Sequence, residues 1–138
     1  MQDKLIEKDA EKYQTRLQGI QKLDGGLKLL DSAIDEKEVV QIGQSLLKTL
    51  NDPENSDAVG AEEARRLANE LEMFTFQGAS GYPRFGRDVA GFKQRVKALR
   101  QRLYETANLQ YQSIQRKMPG LVEPPPTYGA PSGLTFLF

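Results

Sequence analysis

The sequence predicts an all-α protein: a three- to four-helix antiparallel bundle with a long C-terminal helix and an extended Pro-rich C-terminal arm. Apolar residues recur at helical spacings of three, four and seven between residues 2 and 118. Four of the seven prolines lie between 124 and 131, where they prevent a helix or a central strand. We therefore expect two parts, a helical bundle of residues 1–118 and an extended Pro/Gly-rich arm of residues 119–138 with an apolar C-terminus.

The first predicted helix has an apolar residue at every seventh position: Ile6, Tyr13, Ile20, Leu27 and Ile34. This heptad spacing is typical of a coiled coil, in which apolar stripes bring helices or copies of a chain together. Gly25-Gly26 interrupts the pattern, because a glycine inside a helix costs about 1 kcal/mol relative to alanine. The helix either bends at this pair or turns into a hairpin. Since the stripe continues beyond the glycines, we favour the bend.

The second predicted helix begins after Asp35, which can form a capping box with Glu38. Its apolar face consists of Val39, Ile42, Leu46 and Leu50. Residues 51–57 are mostly turn-forming residues, and we expect them to be a loop that ends this helix.

The third predicted helix covers about residues 58–74, and residues 74–76 are expected to be briefly extended before a loop at 77–87. The fourth begins at the N-cap Asp88 and continues to residue 118, a length of about 46 Å at 1.5 Å per residue. Because the second helix is far shorter, we expect the C-terminal half of the fourth to project or to pack on another chain. Ile20 and Leu99 lie mid-stripe on the two longest helices, and both are predicted to be buried.

The composition narrows the possible chemistry. The 138 residues include no cysteine and no histidine, which excludes thiol nucleophiles, histidine-based catalysis and zinc sites of the usual kind. We expect no enzyme activity and no catalytic, cofactor-binding or metal-binding residues. No window resembles a membrane span, and the N-terminus lacks the apolar run of a secretory signal. We expect a location in the cytoplasm or within a particle assembled inside the cell.

Charge is distributed unevenly along the chain. Residues 1–83 contain 10 Lys/Arg against 16 Asp/Glu, whereas residues 84–138 contain 9 against 3. The favoured interpretation is that acidic and basic helices face each other within one bundle or between subunits. The alternative is a basic face that binds nucleic acid or anionic lipid. The residues that would form such an anion-binding face are Arg84, Arg87, Lys93, Lys97 and Arg100.

The arm contains two candidate partner-binding features. Pro125-Pro126-Thr127-Tyr128 has the Pro-Pro-x-Tyr spacing of segments that bind WW domains through a polyproline helix. Further on, alternate apolar side chains would lie on one side of an extended segment and could pair with a neighbouring groove or sheet edge. The predicted partner-binding residues of the arm are Pro125, Pro126, Tyr128, Leu134, Phe136 and Phe138.

Together these features predict a non-catalytic structural or assembly subunit of a larger complex. Helical stripes would associate with copies of the chain or with other subunits, and the arm would latch a neighbour. By analogy, such a minimal part suits a viral or phage particle. Two alternatives remain: an adaptor that recruits a WW-domain partner, and a nucleic-acid-binding accessory protein that uses the basic helix at 84–117.

Overall fold

The computed structural model describes residues 2–76 and 88–126, with side chains from residue 5 onward. Within these ranges the fold is all-α, as predicted. The helices are α1 (Gln2–Ser32), α2 (Glu36–Leu50), α3 (Pro53–Val59), α4 (Ala61–Phe76) and α5 (Val89–Lys117). The core lies where α1, α2, α4 and α5 meet, and α3 packs against α1.

Helix α1 is continuous through Gly25-Gly26, so a hairpin at this pair is excluded. Most of the predicted heptad stripe is buried, including Tyr13 and Leu27. Ile34 is the exception: it lies beyond the end of α1 and is 90% exposed. Gly26 has a packing role, because a Cβ atom there would approach Leu46 Cδ2 of α2 to 2.6 Å.

The segment predicted to be a loop at 51–57 instead contains most of the short helix α3. Asp52 is its N-cap and accepts a hydrogen bond from the Glu54 amide at 3.0 Å, while Pro53 occupies the first turn. The prediction failed because Asp-Pro is both a turn signal and a helix-start signal. Gly60, with a φ of 120°, then separates α3 from α4.

Two other local predictions needed correction. Residues 74–76 are the helical end of α4 and not an extended segment, because Phe74 packs inward and stacks on Phe92 at a centroid distance of 4.1 Å. Asp35 does cap α2, but it accepts from the Lys37 amide at 3.4 Å, two residues on. An Asx-type contact therefore replaces the amide contact expected for a capping box.

Helix α5 packs along α1 in an antiparallel pair. Lys93 contacts the C-terminal end of α1, Arg100 pairs with Asp24, and Tyr111 lies beside Tyr13. The prediction that the second half of α5 projects from the body is wrong, because its inward face, including Ile114, is buried; packing of this half on another chain stays a prediction. The 31-residue α1, and not the shorter α2, is the helix whose length matches the 29-residue α5.

Candidate functional site

The arm begins with a turn that returns the chain to the helical body. Gly120 has a φ of 83°, a left-handed conformation that glycine adopts readily. Its amide donates to Gln115 Oε1 at 3.2 Å, and the Leu121 amide donates to the Met118 carbonyl at 3.3 Å. The turn places Val122 against the core, where it is 8% exposed.

Tyr13 of α1 holds the next residue of the arm. Its hydroxyl donates to the Glu123 carbonyl oxygen at 2.7 Å, and its ring lies 6.2 Å from the ring of Tyr111. Burial, followed by the nearby Tyr111, raises the pKa of Tyr13 to about 12. The phenol therefore stays protonated, and remains a donor, across the physiological pH range.

Val122 thus packs on the body and the Glu123 backbone is hydrogen-bonded to it, although both residues belong to the predicted extended arm of residues 119–138. Of the predicted partner-binding residues, Pro125 is half-buried and Pro126 is exposed. The other four, Tyr128, Leu134, Phe136 and Phe138, lie outside the described residues. The division of the chain into a bundle and an arm stays a prediction.

The described part of the predicted anion-binding face is largely engaged with α1. Arg100 Nε lies 2.7 Å from Asp24 Oδ1, and these side chains are only 14% and 12% exposed. Lys93 Nζ donates to the carbonyl oxygens of Asp31 and Ala33 at the C-terminal end of α1. A cation at this position satisfies carbonyls that the helix leaves unpaired and complements the helix dipole.

Lys97 is the other member of that face that the structure describes. Lys97 is exposed and borders a cavity of about 10 Å³ between α1 and α5, which is room for a single water at most. Arg84 and Arg87 lie outside the described residues. The favoured charge interpretation is supported within the chain by Arg100–Asp24 and by Arg95–Glu70, which joins α5 to α4 at 2.7 Å.

A groove between α4 and α5 is a concave surface that the described residues form. We call it the α4–α5 groove; it has a volume of about 500 Å³ and is lined by Arg66, Asn69, Glu70, Met73, Arg95, Ala98, Leu99 and Arg102. Met73 is 68% exposed within it. Leu99, predicted to be buried, is half-buried at its edge, whereas Ile20 is buried as predicted.

The charges around the α4–α5 groove are mostly paired. Arg66 pairs with Glu62 at 3.1 Å, and Arg95 pairs with Glu70. Among the residues that the structure describes, Arg102 has no ion pair or hydrogen bond. The sequence does not predict this groove, because the groove depends on how far apart α4 and α5 lie. The one feature of the sequence that points to the groove is Met73, an apolar residue that lies outside the buried face of α4.

The described residues include no cluster of three or more acidic side chains placed to hold a metal ion. Their helices also include none with the length and apolar character needed to cross a membrane. Comparison with known proteins leaves the chain without an identified relative. No protein-family model matches it, and no curated protein or solved structure matches it either.

Proposed function

We propose that this protein is a non-catalytic structural subunit that assembles with copies of itself and latches a neighbour through Leu134, Phe136 and Phe138. The observation that carries the proposal is the anchoring of the arm at Val122 and Glu123. Because this attachment fixes where the arm leaves the body, residues beyond it start from a defined point.

The composition of the arm supports a binding role. Residues 124–138 contain no charged side chain, although the whole chain is 28% charged. Burying one leucine and two phenylalanines would contribute roughly 5–8 kcal/mol before the cost of ordering the arm. That is enough to tether subunits at many points of an assembly, each contact being weak by itself. The packing of α1 on α5 suits such a subunit, since it provides a stable body for the arm.

The solution mass of the full chain, measured over a range of concentrations, tests this proposal. We expect mass to increase with concentration and to fall to that of the monomer in the triple variant Leu134→Ser, Phe136→Ser, Phe138→Ser. Leu109→Ser is the matched control, because Leu109 is 66% exposed on α5 and lies outside the groove. A full chain that stays monomeric at about 1 mM would refute self-assembly, and circular dichroism would verify that every variant is folded.

The WW-domain adaptor is the second candidate. It is favoured by one observation: Pro126 is exposed three residues after the anchored Glu123, so the Pro-Pro-x-Tyr segment starts beside a fixed point. Binding to a panel of WW domains, lost in Tyr128→Ala, would support this function. The nucleic-acid alternative gains no such support, because Lys93 and Arg100 already bind groups of α1.

A further inference from the structure

We infer that residues 119–126, which we call the strap, can leave their own body and bind the same surface on a neighbouring copy. The surface that receives them, which we call the strap site, lies beside Tyr13 of α1 and Tyr111 of α5. The inference rests on the proposed function, in which the arm must reach a neighbour. It names the first contact that the arm would make there.

The structure identifies what fits the strap site. Val122 is buried within the core, and the Glu123 carbonyl oxygen accepts a hydrogen bond from the Tyr13 hydroxyl at 2.7 Å. Both contacts are made with the helical body, so they do not depend on which chain supplies the strap. A second copy has the same strap and the same strap site, and an exchange of straps would therefore preserve both contacts.

Exchange would give up little that holds the strap to its own chain. The turn after α5 is made by two hydrogen bonds, from the Gly120 amide to Gln115 Oε1 and from the Leu121 amide to the Met118 carbonyl. Both donor residues are exposed, so water can replace their partners when the turn opens. Val122 is the one buried residue of the strap. The strap is therefore attached far less firmly than a helix of the core.

Gly120 lies where a hinge for this exchange is needed. Its φ of 83° turns the chain back toward the body, and glycine also adopts extended conformations at little cost. The three prolines at 124–126 prevent a released strap from forming a helix that would bury Val122 elsewhere. A strap that opens at Gly120 therefore either returns to its own body or binds that of another copy.

The concentration of copies decides between these two outcomes. The chain presents its own strap site at an effective concentration of the order of 1 mM, as is usual for a short tether. Exchange is therefore rare in dilute solution and becomes substantial where copies are crowded together, as they are in an assembly. Because two copies can exchange straps reciprocally, the product is a closed dimer in which each arm leaves from the neighbour's body.

The test uses the triple variant of Leu134, Phe136 and Phe138 as its background, so that the proposed latch does not contribute to the measured mass. Gly120→Ala is added, because alanine is strained at this φ although its Cβ would have no neighbour within 4 Å among the described residues. This strain disfavours the closed turn, and we expect a dimer at a concentration at least about tenfold lower than the background requires. Gly25→Ala is the matched control and should leave the mass unchanged, since its Cβ also meets open space but lies within a helix.

A further substitution shows whether the strap forms this dimer. Val122→Ser, added to Gly120→Ala, should abolish the dimer because it removes the apolar contact with the strap site. If the Gly120→Ala protein is folded by circular dichroism but stays monomeric at about 1 mM, the strap opens without exchanging and the inference is wrong. The inference is also wrong if the dimer persists in Val122→Ser, because its contact then lies elsewhere.

A second measurement locates the contact in the full chain with its arm intact. One copy carries a spin label on Glu123→Cys, since the chain has no cysteine of its own, and is mixed with an isotope-labelled copy at about 1 mM. We expect the NMR signals of the isotope-labelled copy to broaden near Tyr13 and not near Gln41, an exposed residue of α2. Equal broadening at both places, or none, would overturn the inference.

The two measurements separate this inference from the proposed function. If the mass of the full chain increases with concentration but no broadening occurs near Tyr13, exchange is refuted and the proposed function stands. If broadening occurs near Tyr13 and the triple variant assembles as the full chain does, exchange is supported. The latch is then the strap and not Leu134, Phe136 and Phe138.

Discussion

The contact between Tyr13 and the arm leads to a quantitative prediction. Tyr13→Phe removes the hydroxyl that donates to the Glu123 carbonyl at 2.7 Å and leaves the ring in place. A neutral hydrogen bond of this kind contributes about 0.5–1.5 kcal/mol to stability. The ring is fully buried, so no water can replace the lost donor from its side. We therefore expect the free energy of unfolding to fall by about 1 kcal/mol.

Urea unfolding followed by circular dichroism measures this change, and Tyr111→Phe provides the control. Tyr111 is half-buried beside Tyr13, but its hydroxyl has no hydrogen bond among the described residues. The control should change stability by less than about 0.5 kcal/mol, as is usual for a substitution that breaks no contact. Equal effects of the two variants would show that the Glu123 contact contributes nothing. Tyr13 would then not anchor the arm.

A double-mutant cycle separates the anchoring of the arm from a local effect on α1. Val122→Ala removes two methyl groups that are buried against the core, at a cost of roughly 1–2 kcal/mol. If Val122 and Tyr13 hold the same segment, the two losses should not add, and the coupling should be at least about 0.5 kcal/mol. Strict additivity would mean that residues 122 and 123 detach independently.

Three further predictions concern the body. Gly26→Ala should be less stable than Gly25→Ala by about 1–2 kcal/mol in urea titrations, because a Cβ at 26 meets α2 and a Cβ at 25 meets open space. Arg100→Ala should cost about 2 kcal/mol because it removes the nearer ion-pair partner of the nearly buried Asp24 carboxylate and leaves Lys28 Nζ at 3.5 Å, whereas Arg95→Ala, at a half-exposed pair, should cost less than about 1 kcal/mol; equal losses would contradict this ranking. Burial, followed by the nearby Asp24, raises the pKa of Tyr104 to about 12. Because this pKa is higher in the folded chain than in the unfolded one, the protonated Tyr104 phenol stabilises the fold below about pH 10, and this stabilisation is lost as the pH rises to about 12. We therefore expect the free energy of unfolding to fall less steeply over this interval in Tyr104→Phe, as measured by urea unfolding at each pH.

Periodicity was sufficient to predict the helices whose apolar residues all face one core. The α1 stripe is correct up to Leu27 because heptad spacing directly encodes a buried face. It fails at Ile34, which has the right spacing but follows the end of the helix. The α3 error has a different origin: a seven-residue helix is too short to show a periodic pattern, and its composition is that of a turn.

Pairing between helices was harder to predict than the helices themselves. Comparing the length of α5 with that of α2, and not with that of the 31-residue α1, produced the prediction of a projecting C-terminal half. The α4–α5 groove was missed for a related reason, since Leu99 belongs to an apolar stripe whether that stripe is covered or partly open. Spacing along one helix does not report the distance to the next.

The antiparallel pairing of α1 with α5 has a consequence for how the chain folds. Asp24 and Arg100 are 76 positions apart, and Tyr13 meets Glu123 across 110. Contacts between such distant residues form slowly because a long loop must close first. While a ribosome synthesises the chain, the apolar stripe of α1 therefore has no partner from α5 until nearly all residues have been made. During that interval the part of α1 that α2 and α3 do not cover would be exposed to association with other nascent chains, and the charged residues on its outer face oppose such aggregation.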